Sequence, residues 1–240
     1  MISVRLLHFL GVGGTLVISV LMGFALSPSL VLSQVPKEVL VSLEFPPGPN
    51  RQAPKGTVGG GIRGRTCISG GMPLTALMPN RDNQATTIAA NPTFFVYVPD
   101  TEAKAGILLV TDDKGQEFFS EEIALPGKSG IVKLKIPESK QLETGKQYQW
   151  QFSLVCTPGS LVNGISLQGK IERIDLSSET KAKLEQQTTP IEKANIYASN
   201  NIWQETLTIL ADQRSNYPQE WQELLTSVGL GDFAQAPFIN

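Results

Sequence analysis

The chain has 240 residues, 41% of them apolar, and its 20 basic residues against 22 acidic ones leave a formal net charge of −2. So small an excess of either sign argues against nucleic acid or an anionic membrane surface as a partner. One histidine, His8, and two cysteines, Cys67 and Cys156, restrict the available chemistry further.

The N-terminus carries Arg5 and then an uncharged, mostly apolar run from Leu6 to Val35, the layout of an export signal. Small residues at Val31 and Ser33 place cleavage after Ser33, giving a signal peptide over 1–33. The run is also long enough to span a bilayer, so an uncleaved anchor is the rival reading, and membrane contact is expected only in that case. Cleavage removes Arg5 and His8, leaving 207 residues with 19 basic against 22 acidic side chains. A mature chain without histidine cannot run a Ser-His-Asp or Cys-His mechanism, nor build the usual zinc, copper or non-haem iron site. No catalytic, cofactor-binding or metal-ligating residue is therefore assigned.

Residues 34–65 are rich in proline and glycine and read as a linker. Arg51, Lys55, Arg63 and Arg65 stand in it with no acid after Glu44, as in a solvated tether. Gly59 to Thr66 (GGGIRGRT) comes close to the phosphate-binding pattern G-x-x-x-x-G-K-S/T. Arg65 takes the place of the lysine, no apolar strand precedes Gly59, and GGMPLTAL after it does not open a helix, so the P-loop reading fails. Cys67 and Cys156, an even count in an exported chain, are expected to form one structural disulfide that pins the entrance of the domain to an aromatic strand.

Residues 66–175 are predicted as a β-domain. Short strands are expected at Pro73–Met78, Thr93–Val98, Ile107–Thr111, Glu117–Ala124, Gly130–Ile136, Gln147–Cys156 and Gly164–Ile174, a spacing that suggests an antiparallel sandwich. Asp113-Lys114-Gly115 supplies a tight hairpin. Asp112, Asp113 and Glu117 lack the spacing of a calcium loop. In QYQWQFSLVC, Tyr148, Trp150, Phe152, Leu154 and Cys156 share one face by the two-residue period. KIPESKQLETGKQYQWQF resembles the strand, corner and strand of fibronectin type III and immunoglobulin-like modules, although Leu154 stands where their tyrosine corner would have its second cysteine.

Residues 176–235 turn helical. Ser177 or Ser178 caps a polar helix through Gln187, and Thr189-Pro190-Ile191-Glu192 is a capping box with proline in the first turn. Helices follow at about Ile202–Arg214 and Pro218–Val228, the latter with Trp221, Leu224, Leu225 and Val228 as an apolar stripe and Gly229 as its stop. Ile191 to Pro218 is read as a single tetratricopeptide-like unit that packs on its own sandwich or on the last helix.

RGRTCISGGMPLTALMP, NPTFFVYVP, FFSEEIALPGKSGIVKLKIP, YQWQFSLVC, IYASNNIWQETLTILADQR and EWQELLTSVGL, in this order, are similar to an uncharacterised secreted family of cyanobacteria, domain of unknown function 928, over about residues 60–235. The resemblance implies export and this two-part layout, and it brings no catalytic residue with it.

The expected function is that of a non-catalytic interaction module of the periplasm or cell envelope, or an extracellular one, with a protein or glycan as partner. The alternatives are a purely structural envelope protein and a glycan-active enzyme using two carboxylates, for which Glu121, Glu122 and Glu172 would have to approach within about 5 to 9.5 Å. Trp150, Trp203 and Trp221 are read as core residues rather than sugar platforms.

Overall fold

Among the described residues of the computed structural model, 43–46, 67–79, 84–157 and 165–240, eight strands are followed by four helices. The strands are β1 Thr75–Ala76, β2 Gln84–Thr87, β3 Thr93–Val98, β4 Ala105–Thr111, β5 Glu117–Ala124, β6 Gly130–Lys135, β7 Gln147–Val155 and β8 Ser166–Arg173. The helices are α1 Ser178–Glu185, α2 Pro190–Ser199, α3 Trp203–Asp212 and α4 Pro218–Ser227, and a single 3-10 turn, Gly231–Phe233, follows. The described residues lie in one unit, Val41–Asn240. The predicted signal over 1–33, the Gly59–Thr66 stretch and most of the predicted linker lie outside them.

The chain is mainly β, with two sheets and C-terminal helices. One sheet has the order β1-β3-β6 and the other β2-β8-β7-β4-β5. Strand β3 explains how they stack. Its sequence TFFVYV has no polar alternation, and a strand apolar on both faces must be covered on both. Phe94 meets Trp150 of β7 at 5.0 Å between ring centres, so this face of β3 packs on the five-stranded sheet. On the opposite face, Phe95 lies 6.5 Å from Phe238 and Tyr97 lies 4.9 Å from Phe233, so the C-terminal region covers it. The three-stranded sheet is thus a middle layer between sheet and helices.

Strand β7 keeps the predicted alternation: Tyr148, Trp150, Phe152 and Leu154 are buried, whereas Gln149 and Gln151 are exposed. The ring of Trp150 needs room on the neighbouring strand. Gly169 of β8, its register partner, provides it, since a β-carbon there would stand 2.8 Å from Trp150 Nε1 and 2.7 Å from Met78 Sδ.

Three expectations are corrected. The sheets are not wholly antiparallel, because β2 pairs with β8 in parallel. This strand reads QATT, too short and polar to announce itself, and its register is fixed by β8 and α3. The linker reading fails at Leu43–Pro46: Leu43 and Phe45 are buried, their amides donate to Glu223 Oε2 and Ser227 Oγ of α4, and Phe45 meets Trp203 edge to face at 4.9 Å. The first predicted strand, Pro73–Met78, shrinks to the two residues of β1, where Thr75 and Ala76 pair with Tyr97 and Val96.

The β6 edge is plugged. Pro237–Asn240 runs beside β6, with Ile131 N donating to Pro237 O and Ile239 N to Ile131 O. The Asn240 side-chain amide continues the ladder, accepting from Lys133 N at 2.8 Å and donating to Lys133 O at 2.7 Å. On the edge strand β5, Glu121 and Glu122 are exposed, and charge on an edge strand discourages further strand pairing.

The helix ends follow the sequence signals. Ser177 caps α1 by accepting from Thr180 N, and Thr189 with Glu192 forms the complete capping box of α2. Asn201, at φ 58°, turns the chain between α2 and α3, a left-handed conformation that asparagine tolerates. Gly229, at φ 80°, ends α4. Helix α3 packs on both sheets: Trp203 Nε1 donates to Leu77 O, Gln204 Nε2 to Thr93 O, and Glu205 holds the end of β2. Among the described residues, no helix is long and apolar enough to cross a membrane.

Candidate functional site

Cys67 and Cys156 are joined, with their α-carbons 5.4 Å apart across 89 residues of sequence. Cys156 follows β7 directly. Cys67 O accepts from Glu102 N and from Thr101 Oγ1, so the staple sits where the chain enters the sheets. Both sulfurs are consumed in the bond.

The three strand acids do not converge. Glu121 and Glu122 are successive residues of β5 and point to opposite faces. Between β5 and β8 stand β4 and β7, three strand spacings or about 14 Å. Glu121 is level with Leu108, Phe152 and then Leu167, whereas Glu172 lies five residues farther along β8, roughly 17 Å at an extended rise. The separation far exceeds that of a glycosidase pair. Glu172 instead accepts from Gln84 Nε2 across the β2–β8 ladder. Trp150, Trp203 and Trp221 are buried, as expected for core residues. The Asp112 carboxylate is taken up by its own turn, accepting from Lys114 N and Gln116 N.

Two polar arrangements not foreseen from the sequence stand out. The first is Glu205, in the first turn of α3. Its Oε1 accepts from Thr87 Oγ1 at 2.7 Å, Ile88 N at 3.0 Å and Ala89 N at 2.9 Å, closing the end of β2. Its Oε2 is buried and has no hydrogen-bond partner. Burial pushes the carboxyl above its ordinary value of 4.5, with the three hydrogen bonds to Oε1 pulling the other way. Burial, assisted by Glu205, also raises the Tyr197 phenol. A carboxyl raised in the folded state favours folding most when protonated. The stability it contributes is therefore complete below pH 4.5 and is lost as the pH climbs through the folded value. Glu205→Gln keeps the Oε1 acceptor and has no proton to lose. Urea midpoints measured from pH 4 to 8 are expected to fall with rising pH in the wild type and to flatten in the variant relative to it. Equal slopes in the two proteins would refute this.

The second is a cleft of about 350 Å³ at the α3–α4 turn. Asp212 closes α3, Arg214 and Ser215 form the turn, Pro218 and Trp221 open α4, and Ala234, Gln235 and Phe238 supply the opposite wall. Arg214 is locked in place. Its Nη1 donates to Ala236 O at 2.6 Å and its Nη2 to Ala234 O at 2.5 Å, while its guanidinium carbon stands 5.7 Å from the ring centres of both Trp221 and Phe238. Partial burial lowers its pKa from the ordinary arginine value, yet it stays charged. Lys133 approaches Phe238 at 4.6 Å and forms an ion pair with Asp212 at 2.8 Å. This volume falls in the range of small-ligand sites, and the mixture of aromatic floor and few polar groups is typical of them. Nothing in the sequence flagged the cluster, because Arg214 acquires its role from carbonyls and a ring some twenty residues downstream. Among the described residues, no group of three or more histidine, cysteine, aspartate or glutamate side chains could hold a metal ion.

The family model described as Domain of Unknown Function (DUF928) matches residues 58–238. No curated protein matches the chain. Among solved structures, the fn3 domain of the human collagen alpha-1(XX) chain aligns at 12% identity and a TM-score of 0.27, covering 49% of this chain and 93% of that one.

Proposed function

This chain belongs to the Domain of Unknown Function (DUF928) family, and we propose that it is an exported, non-catalytic interaction module of the periplasm or cell envelope that grips its partner, a protein or glycan, through the α3–α4 cleft. The observation that carries this reading is the cleft itself, a ligand-sized concavity with a guanidinium fixed beside the Trp221 and Phe238 rings. The disulfide is consistent with an oxidising compartment. Within the same reading, the two sheets are an immunoglobulin- or fibronectin-like sandwich, and the α2–α3 pair is a tetratricopeptide-like unit docked on it.

The test is capture of a partner from the native envelope by the wild type and by Ser215→Trp, which fills the cleft from an exposed position. The expected result is a partner that copurifies with the wild type and is reduced at least tenfold with the variant, at equal thermal stability. An identical partner set for both proteins would remove the cleft from recognition. A free monomer with no partner in the extract would overturn the module itself.

A further inference from the structure

Resting on the cleft as the recognition element, we propose that its ligand is a carboxylate with an apolar body, anchored by the Arg214 guanidinium. The charge balance favours an anion. Lys133 is neutralised by Asp212, which leaves Arg214 as the cation of the cleft without an acidic partner among the described residues. The two carbonyls it serves occupy two of its five N–H bonds, and three remain for a ligand. Its plane is held by two rings and two hydrogen bonds, so little side-chain entropy is lost when a planar carboxylate pairs with it.

A second feature points the same way. Pro218, the first residue of α4, lines the cleft, and Tyr217 before it makes no side-chain cap. The amino end of a helix carries positive partial charge, here offset only by Glu220 in the first turn. The Ser215 hydroxyl adds a donor on the same rim. A monoanion is favoured over a phosphate because, with Lys133 paired to Asp212, a single guanidinium is left to balance the charge. Pro218 and Phe238, the apolar lining residues with accessible surface, would cover the apolar body of the ligand.

The experiment titrates the full-length oxidised protein with hippurate and with its uncharged amide, following the Trp221 indole by NMR. Phenyl phosphate and the peptide pair N-acetyl-Gly-Phe, as free acid and as amide, complete the set. Each acid is expected to bind at least tenfold more tightly than its amide. Tighter binding of the acetylated peptide acid than of hippurate assigns the carboxylate to a peptide C-terminus, and the reverse order assigns it to a free acid; either order upholds the carboxylate. Arg214→Lys, which keeps the charge and loses the planar fork, is expected to weaken the acids at least fivefold more than the amides. The acid-to-amide comparison needs no variant and so holds even if Arg214→Lys folds poorly. Equal binding of acid and amide, or tighter binding of phenyl phosphate, would overturn the carboxylate and leave the cleft's role standing. Failure of every acid to bind, while Ser215→Trp still loses its partner, would do the same. Failure of the cleft reading itself shows separately, as partner capture unaffected by Ser215→Trp.

Discussion

Breaking the Cys67–Cys156 bond lowers the stability of the fold by about 4 to 5 kcal/mol, the loop-closure entropy of a cross-link spanning 89 residues. For a chain of this size the melting temperature should drop by roughly 10 to 15 °C. Most of the effect arises in the unfolded chain, which gains the freedom of a loop running from Cys67 through β7. The folded side changes little, because Cys67 O keeps its bonds from Glu102 N and Thr101 Oγ1 without the sulfur. Calorimetry and urea unfolding of the oxidised protein, the reduced protein and Cys67→Ser/Cys156→Ser check this. The reduced and doubly substituted proteins should agree. A loss below about 1 kcal/mol would mean that the unfolded chain is already restrained near Cys67, against the entropic account.

How much of this was legible in the sequence depends on where each residue's partners lie. Strand β7, the capping box at Thr189 and the Gly229 stop are governed by neighbours a few residues away, and the periodicity found them. Strand β3 also announced itself as an apolar run, although its double burial shows only when the C-terminal Phe233 and Phe238 are in place. Leu43–Pro46 was read as part of the linker, since its role shows only once Glu223 and Ser227 of α4 stand beside it. Lys133 of β6 meets Phe238 and Asp212, distant contacts that periodicity alone cannot tell. Strand β2, Glu205 and Arg214 were invisible for one shared reason: each is defined by groups distant in sequence. The QATT strand needs β8, the Glu205 carboxyl needs the amides of Ile88 and Ala89, and the Arg214 guanidinium needs Ala234 and Ala236.

Trp203→Ala should be the most damaging single core substitution, costing about 4 kcal/mol or more, as full truncation of a buried tryptophan does. Trp203 is wholly buried in the first turn of α3, its ring meets Phe45 edge to face, and its Nε1 donates to Leu77 O at 2.9 Å. That one side chain therefore ties α3 to the segment after β1 and to Leu43–Pro46 on α4. Trp203→Phe separates the contributions. It keeps much of the apolar bulk and leaves the buried Leu77 carbonyl without its donor, for a cost of about 1 to 3 kcal/mol. Urea unfolding of both variants, followed by far-ultraviolet circular dichroism and by tryptophan fluorescence, checks the order and the cooperativity. With α3 bound to both sheets through Trp203, Gln204 and Glu205, the helices cannot melt alone, and the two probes should report one coincident transition in the wild type. Separate transitions would mean that the helical region is a domain of its own, and the cleft at its end would then have to be reconsidered as a part of that smaller unit.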